Sequence, residues 1–170
     1  MGRYTESEIW IFGALIGRLS EEIELAARCQ LARRLARSAQ APIQMVTKLA
    51  FDDSIDVAGP ILRYSERLEN QVLVANARCK SQQHLFAISR RKSIDEPVTD
   101  VLVERGDQTV VNSFAVNAGA RFSDSGFLEL IKRSENDSIL AEHLGRRRDI
   151  PRHLFQQLIA KASDEVQKKL

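Results

Sequence analysis

The stretch Ala87–Arg105, AISRRKSIDEPVTDVLVER, decides the fold because its pattern returns twice at a spacing of 28 residues. The later copies are Ala115–Arg133 (AVNAGARFSDSGFLELIKR) and His143–Lys161 (HLGRRRDIPRHLFQQLIAK). A period of this length is typical of stacked helical units, so we predict an all-α repeat protein. Apolar residues keep their register through the copies: Ile88, Val116 and Leu144; Ile94, Phe122 and Ile150; and the pairs Leu102-Val103, Leu130-Ile131 and Leu158-Ile159.

Each copy predicts a helix, a short turn and a second helix. In the first copy Arg90–Ser93 is the expected turn, Ile94 a buried anchor, and Asp95-Glu96-Pro97 the start of the second helix. Proline has no amide hydrogen to leave unpaired in a first turn, and acidic side chains suit the positive end of the helix dipole. The same role is expected for Ser123-Asp124 and Asp149–Pro151, whereas Gly106-Asp107 and Asn136-Asp137 are expected to separate units.

Two weaker copies lie upstream. Arg34–Ala50 aligns with the copy that begins at His143, and Ile61–Ala77 is the most degenerate unit, because Asn76 falls where Leu102 would align. The total is five units. Pro60 lies inside a predicted helix and is expected to kink or shorten it, since it lacks an amide hydrogen.

The domain organisation follows from these units. We expect one domain over residues 1–170, with an N-terminal amphipathic helical segment at 1–30 and helical-hairpin repeats at 31–170. The last repeat is expected to be incomplete, which indicates either a lone closing helix or a piece of a longer protein. Trp10 and Phe12 extend the apolar residues of the first segment beyond one face, so this helix is a candidate homodimer contact.

Composition restricts the partners. The 25 Lys and Arg residues exceed the 23 Asp and Glu residues by two, so no global charge favours nucleic acid or an anionic membrane. No apolar run approaches the roughly 20 residues that a membrane span needs. The first residues, MGRYTESE, do not resemble a signal peptide. A cytoplasmic protein with no membrane contact is therefore expected.

Four segments carry a family resemblance: LAFDDSIDVAGPIL, HLFAISRRKSIDEPVTDVLVERGD, NAGARFSDSGF and RRRDIP. In order and spacing they resemble a bacterial family, mainly alphaproteobacterial, catalogued as domain of unknown function 2336. The resemblance covers nearly the whole chain. It implies HEAT-like helical repeats stacked into a short right-handed solenoid, and members that are often longer than this chain. It implies no activity.

Catalytic and metal-binding patterns are not found. The histidines, His84, His143 and His153, lack the i, i+4 partner or CxxC neighbour of a zinc site, and no hydrolase, nucleoside-triphosphate or dinucleotide motif occurs. Asp52-Asp53 is interpreted as a helix cap, and the Arg-Gly-Asp triplet at 105–107 as a unit junction. We therefore expect no enzyme, no cofactor and no metal, although a catalytic site without a recognisable motif remains a distant alternative.

The most informative polar feature is basic. Arg90, Arg91 and Lys92 occupy one turn, and Arg146, Arg147 and Arg148 occupy the equivalent turn two units later, with Arg121 in the turn between them. The leading interpretation is a solvated edge, since cations offset the dipole at helix C-termini. If the edge binds, an acidic protein surface, a phosphate-bearing small ligand and a nucleic-acid backbone compete. One Trp and two Tyr offer few rings for base stacking.

The predicted function is a non-catalytic scaffold for protein–protein interaction, with no partner or pathway identified, because stacked repeats present extended surfaces to partners. The alternative is a helical-repeat module that binds phosphate or nucleic acid along the arginine-rich edge.

Overall fold

The computed structural model describes residues 24–161. Within these residues the chain forms no β-strand, and a single isolated bridge joins Ile94 to Ala120. The helices are α1, seen over residues 24–35, then α2 (Ile43–Ala50), α3 (Ile55–Tyr64), α4 (Asn70–Cys79), α5 (Gln82–Ser89), α6 (Glu96–Arg105), α7 (Gln108–Ala115), α8 (Asp124–Ser134), α9 (Ser138–Gly145) and α10 (Arg152–Lys161).

The helices form five consecutive pairs, as the repeat pattern predicts. First helices pack on first helices, since α3 contacts α5, α5 contacts α7 and α7 contacts α9. Second helices do the same through α4, α6, α8 and α10. Helices α3 to α10 therefore form two layers. We call the turns within pairs the turn edge (36–42, 65–69, 90–95, 116–123 and 146–151) and the connections between pairs the junction edge (51–54, 80–81, 106–107 and 135–137).

The core lies between the two layers, and its buried side chains run continuously from Ala32 to Leu158. The predicted apolar register holds along the second helices, where α6, α8 and α10 begin 28 residues apart. The anchor Ile94 is 2% exposed, and Leu62 and Leu68 of the degenerate unit are also buried. The repeat pattern therefore corresponds to the periodic burial of apolar side chains.

The predicted register is wrong at Val116, which is 57% exposed. Helix α7 begins 26 residues after α5, not 28, so Phe114 takes the buried position that Ile88 holds in α5. The turn of this pair is correspondingly two residues longer than its neighbours. Phe114 packs on Phe122, with ring centroids 5.6 Å apart.

Most of the predicted helix boundaries are confirmed. Ser123 caps α8 and Asp107 caps α7, each accepting a hydrogen bond from a first-turn amide. Asp149 instead forms an ion pair with Arg147. Helix α3 continues through Pro60 to Tyr64 and is ten residues long, the same length as α4 and α6, so the proline does not shorten it.

Two predictions lie outside the described residues: the dimer contact at Trp10 and Phe12, and the incomplete last unit after residue 161. Among the helices that the structure describes, none is long and apolar enough to cross a membrane.

A repeated contact joins each pair to the pair before it. Six side chains, which we call back-caps, donate hydrogen bonds to backbone carbonyls at the C-terminal end of a helix one pair earlier. Carbonyls at a helix end have no partner within the helix, so these bonds complete it. Arg133 shows the pattern: its guanidinium reaches the carbonyls of Val103 and Gly106 at the end of α6, both at 2.9 Å. The other back-caps are Asn76, Arg91, Arg105, Asn117 and Arg147.

Asparagine serves as a back-cap where the repeat lacks arginine. Asn76, the residue that broke the sequence alignment, is fully buried and donates to the carbonyl of Ala50 at 2.8 Å. Asn117 donates to the carbonyls of Ser89 and Arg91 in the preceding turn, at 3.1 and 2.7 Å. Counted from the helix starts, Asn117 takes the place that Arg91 and Arg147 hold in their pairs. Asn76 lies three residues before the place of Arg105 and Arg133 but contacts the end of the preceding second helix as they do.

Asp137 yields a prediction about acid stability. Partial burial works to raise the pKa of its carboxyl group, but hydrogen bonds from the Leu140 amide, Gln108 and Asn112 outweigh it and lower the pKa. A carboxyl group with a lowered pKa stabilises the fold above its unfolded pKa of about 3.9, and that contribution disappears as the pH falls through the folded value.

We expect Asp137→Ala to lower the free energy of unfolding by about 1 kcal/mol at pH 7, as the loss of an N-cap does. The difference from wild type should shrink below pH 4. Urea denaturation of both proteins at pH 7 and at pH 3 measures it, and a difference that stays constant with pH would contradict the assignment.

Candidate functional site

The structure divides the seven basic residues of the predicted edge into two groups. Arg91 and Arg147 are back-caps and point into the protein. The side chain of Arg147 is only 6% exposed, and its guanidinium donates to the carbonyls of Ala115, Asn117 and Ala120 and to the carboxylate of Asp149. These bonds use all five of its N–H groups, so none is left for a ligand.

Arg91 is also committed to the fold, through the carbonyls of Leu62 and Ser65. Burial lowers the pKa of its guanidinium, although the carboxylate of Glu66 acts in the opposite direction. The remaining five residues, Arg90, Lys92, Arg121, Arg146 and Arg148, are exposed on the turn edge. Arg146 forms an ion pair with Glu142.

Three further cations belong to this surface and were missed from the sequence: Arg37, Arg63 and Arg67. They lie at the turns of the first two pairs, where the repeat is weakest and no run of arginines occurs. Arg37 and Arg63 both contact the ring of Tyr64, with guanidinium carbons 4.7 and 4.8 Å from its centroid. The signal that could have found them is that each lies within three residues of the end of a first helix.

Basic and acidic residues, which are interspersed along the sequence, predominate on opposite edges of the fold. The five turns of the turn edge contain nine Lys and Arg residues and four Asp and Glu residues, a formal net charge of +5. The four junctions contain one Lys and five Asp and Glu residues, a net charge of −4. A chain of net charge +2 therefore presents a basic edge and an acidic edge. Such a field steers charged partners although the whole molecule is nearly neutral.

An apolar groove of about 550 Å³ crosses the layer of first helices from α3 over α5 to the start of α7. We call it the first-helix groove. Its apolar lining is half-buried to buried and comes from three successive pairs: Ile55, Gly59, Pro60, Phe86, Ala87 and Val110. Concave, mainly apolar surfaces with a few polar groups at the rim are the usual form of a binding site.

The rim of the groove differs at its two ends. Arg63, Tyr64 and Arg90 line the end at the turn edge, so the basic surface and the groove meet there. Arg90 lies over the ring of Phe86, 5.5 Å from its centroid. Asp107 lines the other end, where its carboxylate caps α7 by accepting from the amide of Val110 at 2.9 Å.

Gly59 and Pro60 at the groove are costly residues inside a helix. Glycine costs about 1 kcal/mol relative to alanine, and proline costs about 3 kcal/mol in a helix interior. Packing does not require Gly59, because an added Cβ would meet only the side chain of Ile55, at 3.5 Å. Its backbone does not require glycine either, since no glycine in the described chain has a positive φ. Residues that disfavour the local secondary structure without improving the packing are expected mainly at functional sites.

A second site of similar volume surrounds the last arginine turn. A cavity of about 560 Å³ is lined by Val116, His143 and the three arginines from Arg146 to Arg148. Arg147 is saturated and Arg146 is paired, so Arg148 is the cation of this turn with no ion pair or side-chain hydrogen bond among the described residues.

The candidate catalytic residues have structural roles. His84 is buried, with Nδ1 2.8 Å from the hydroxyl of Ser81 and Nε2 3.0 Å from the carbonyl of Asp52. Asp52 and Asp53 form separate ion pairs, with Arg28 and Lys80. Asp52 also accepts from the amide of Ser54, but the expected helix cap is wrong, because Ser54 is the N-cap of α3 and no side chain caps that helix. Within residues 24–161, no group of three or more His, Cys, Asp or Glu side chains could hold a metal ion.

Comparison with known proteins identifies the family. The model of the family described as "Uncharacterised protein conserved in bacteria (DUF2336)" matches residues 57–170, about two thirds of the chain. Neither the curated proteins nor the solved structures with which the chain was compared gave a match. The matched region begins in α3 and includes every later described helix, with most of the groove and most of the turn edge. The chain therefore belongs to the bacterial family DUF2336.

Proposed function

We propose that this protein is a cytoplasmic, non-catalytic scaffold built as a HEAT-like right-handed superhelix, and that it binds a segment of another protein in the first-helix groove. The observation that carries the proposal is the apolar groove across three successive first helices, with room for a Cβ at Gly59. The two-layer packing of the helix pairs supports the superhelix. Stacked repeats bind partners through such extended surfaces.

The dimensions of the groove suit a peptide segment. Packed helices lie about 10 Å apart, so a groove across three of them spans roughly 20 Å. An amphipathic helix of about 13 residues has that length at 1.5 Å per residue. Its apolar side chains at i, i+3 or i+4 and i+7 would meet Pro60 of α3, Phe86 of α5 and Val110 of α7 in succession.

Selection of peptides from a random display library on the immobilised full chain tests this function. We expect the selected peptides to bind wild type and to lose at least tenfold in affinity for Gly59→Leu, which fills the groove. Ala75→Leu adds the same side chain at an exposed site on α4 and should leave affinity unchanged. Peptides that bind both leucine variants as well as wild type would overturn the proposal.

The alternative function, phosphate or nucleic-acid binding along the turn edge, is favoured by one observation, the net charge of +5 on that edge. It predicts binding of a labelled DNA duplex that weakens steeply with salt, measured by fluorescence anisotropy at two salt concentrations. The informative variant replaces Arg90, Lys92, Arg121, Arg146 and Arg148 by alanine and spares Arg91 and Arg147, which hold the fold. The scaffold function predicts no binding at low salt.

A further inference from the structure

We infer that the partner segment of the first-helix groove is acidic as well as apolar, with an apolar side chain seated beside Gly59 and Pro60 and carboxylates that contact Arg63 and Arg90. This inference rests on the proposed function and specifies the chemistry of the partner. Three observations carry it: the uncommitted arginines at the rim, the field of the turn edge, and the space at Gly59.

The rim arginines are uncommitted, unlike the back-caps. Among the described residues, Arg63 and Arg90 form neither a side-chain hydrogen bond nor an ion pair, and each contacts an aromatic ring. The Nε of Arg63 is buried without an acceptor. A buried donor without a partner is unfavourable, and native structures contain few of them. Because planar guanidinium groups bind carboxylates through paired hydrogen bonds, the terminal N–H groups of Arg63 and Arg90 suit an acidic residue of a partner.

The surrounding charge favours the same occupant. The turn edge, with its net charge of +5, adjoins this end of the groove, and Arg37 lies on the ring of Tyr64 beside Arg63. The C-terminal carbonyls of α3 would repel an anion, but the guanidinium of Arg91 already caps them. Asp107 is the carboxylate at the opposite end. The acidic residues of the segment should therefore lie toward the turn edge, and its apolar residues toward the junction edge.

The apolar part of the segment has a defined seat. The space beside Gly59 is bordered by Ile55 of the same helix, and Pro60 and Phe86 complete an apolar surface around it. Tyr64 is 40% exposed at the boundary between this surface and the cations. An amphipathic segment with an apolar anchor next to two or three acidic residues matches this order of groups.

The peptides selected on wild type provide the test. We expect them to be enriched in Asp and Glu beside an apolar anchor. The double variant Arg63→Glu/Arg90→Glu should weaken them at least tenfold. A matched control, Arg33→Glu/Arg78→Glu, makes the same change of net charge at exposed positions on α1 and α4 and should change affinity less than twofold. Circular dichroism and urea denaturation establish that each variant is folded.

Substitutions in the peptide keep the test decisive if the double variant does not fold. Resynthesis of the selected peptides with Gln and Asn for Glu and Asp should also weaken binding to wild type at least tenfold. Peptides that require the space at Gly59 but tolerate both the charge reversal and the amide substitutions would overturn the acidic partner and leave the proposed function standing. If binding is independent of Gly59, the proposed function itself fails.

Discussion

Replacing Arg147 by alanine is expected to lower the free energy of unfolding by at least about 2 kcal/mol, because a buried carbonyl that loses its donor costs about 1–3 kcal/mol. The substitution leaves the carbonyls of Ala115, Asn117 and Ala120 without their donor. It also removes the ion pair with Asp149 and the contact with the ring of Phe122, whose centroid lies 4.6 Å from the guanidinium carbon. Lysine should not rescue the loss, because one ammonium cannot reach three carbonyls in the geometry of a guanidinium.

The neighbouring residue provides the control. Arg148 is exposed and has no hydrogen bond or ion pair among the described residues, so Arg148→Ala should change the free energy of unfolding by less than about 0.5 kcal/mol. Urea denaturation followed by circular dichroism measures both variants. Equal effects of the two substitutions would show that Arg147 is not a back-cap, and that the turn acts only through its charge.

The second large effect is expected at Gly119. A Cβ at this position would lie 1.9 Å from the carbonyl oxygen of Lys92, so the two turns must move apart. The backbone pairing between these turns, with Ile94 donating to Gly119 and Arg121 donating to Ile94 at 2.9 and 2.8 Å, would break. We expect Gly119→Ala to cost about 2–4 kcal/mol, as overpacking combined with lost buried hydrogen bonds does.

The same substitution at Gly59 should have the opposite sign. Alanine fits there and favours the helix, so Gly59→Ala should raise the free energy of unfolding by about 0.5–1 kcal/mol. Thermal or urea denaturation of the two alanine variants measures the contrast directly. If Gly59→Ala also destabilised the protein, glycine at this position would be required by the fold and would no longer indicate a binding surface.

The sequence was sufficient to predict the five helical pairs, because apolar residues recur at a fixed spacing in each unit. It failed at α7, since two extra residues in the following turn leave the apparent period at 28 while Phe114 replaces Val116 in the core. The apolar pattern shows which residues can be buried. The position at which a helix begins determines which of two nearby apolar residues faces the core.

The basic turns show the other limit of sequence reasoning. In the sequence Arg146, Arg147 and Arg148 are equivalent, yet one is buried in a hydrogen-bond network and its neighbours are exposed. Nothing in a run of three arginines distinguishes them, because the carbonyls that bind Arg147 lie 27 to 32 residues earlier. The first-helix groove was invisible for the same reason, since its lining comes from three units.

The back-caps all reach in one direction. Asn76, Arg91, Arg105, Asn117, Arg133 and Arg147 each complete a helix that precedes them in the chain by one pair. On a ribosome, a newly made pair would therefore leave the exit tunnel with unpaired carbonyls at its helix ends and gain their donors only when the next pair emerges. Each pair should therefore complete its folding only after the next pair has been synthesised. If the ribosome paused at the boundary between two pairs, the last pair outside the tunnel would still lack the hydrogen-bond donors for its helix ends.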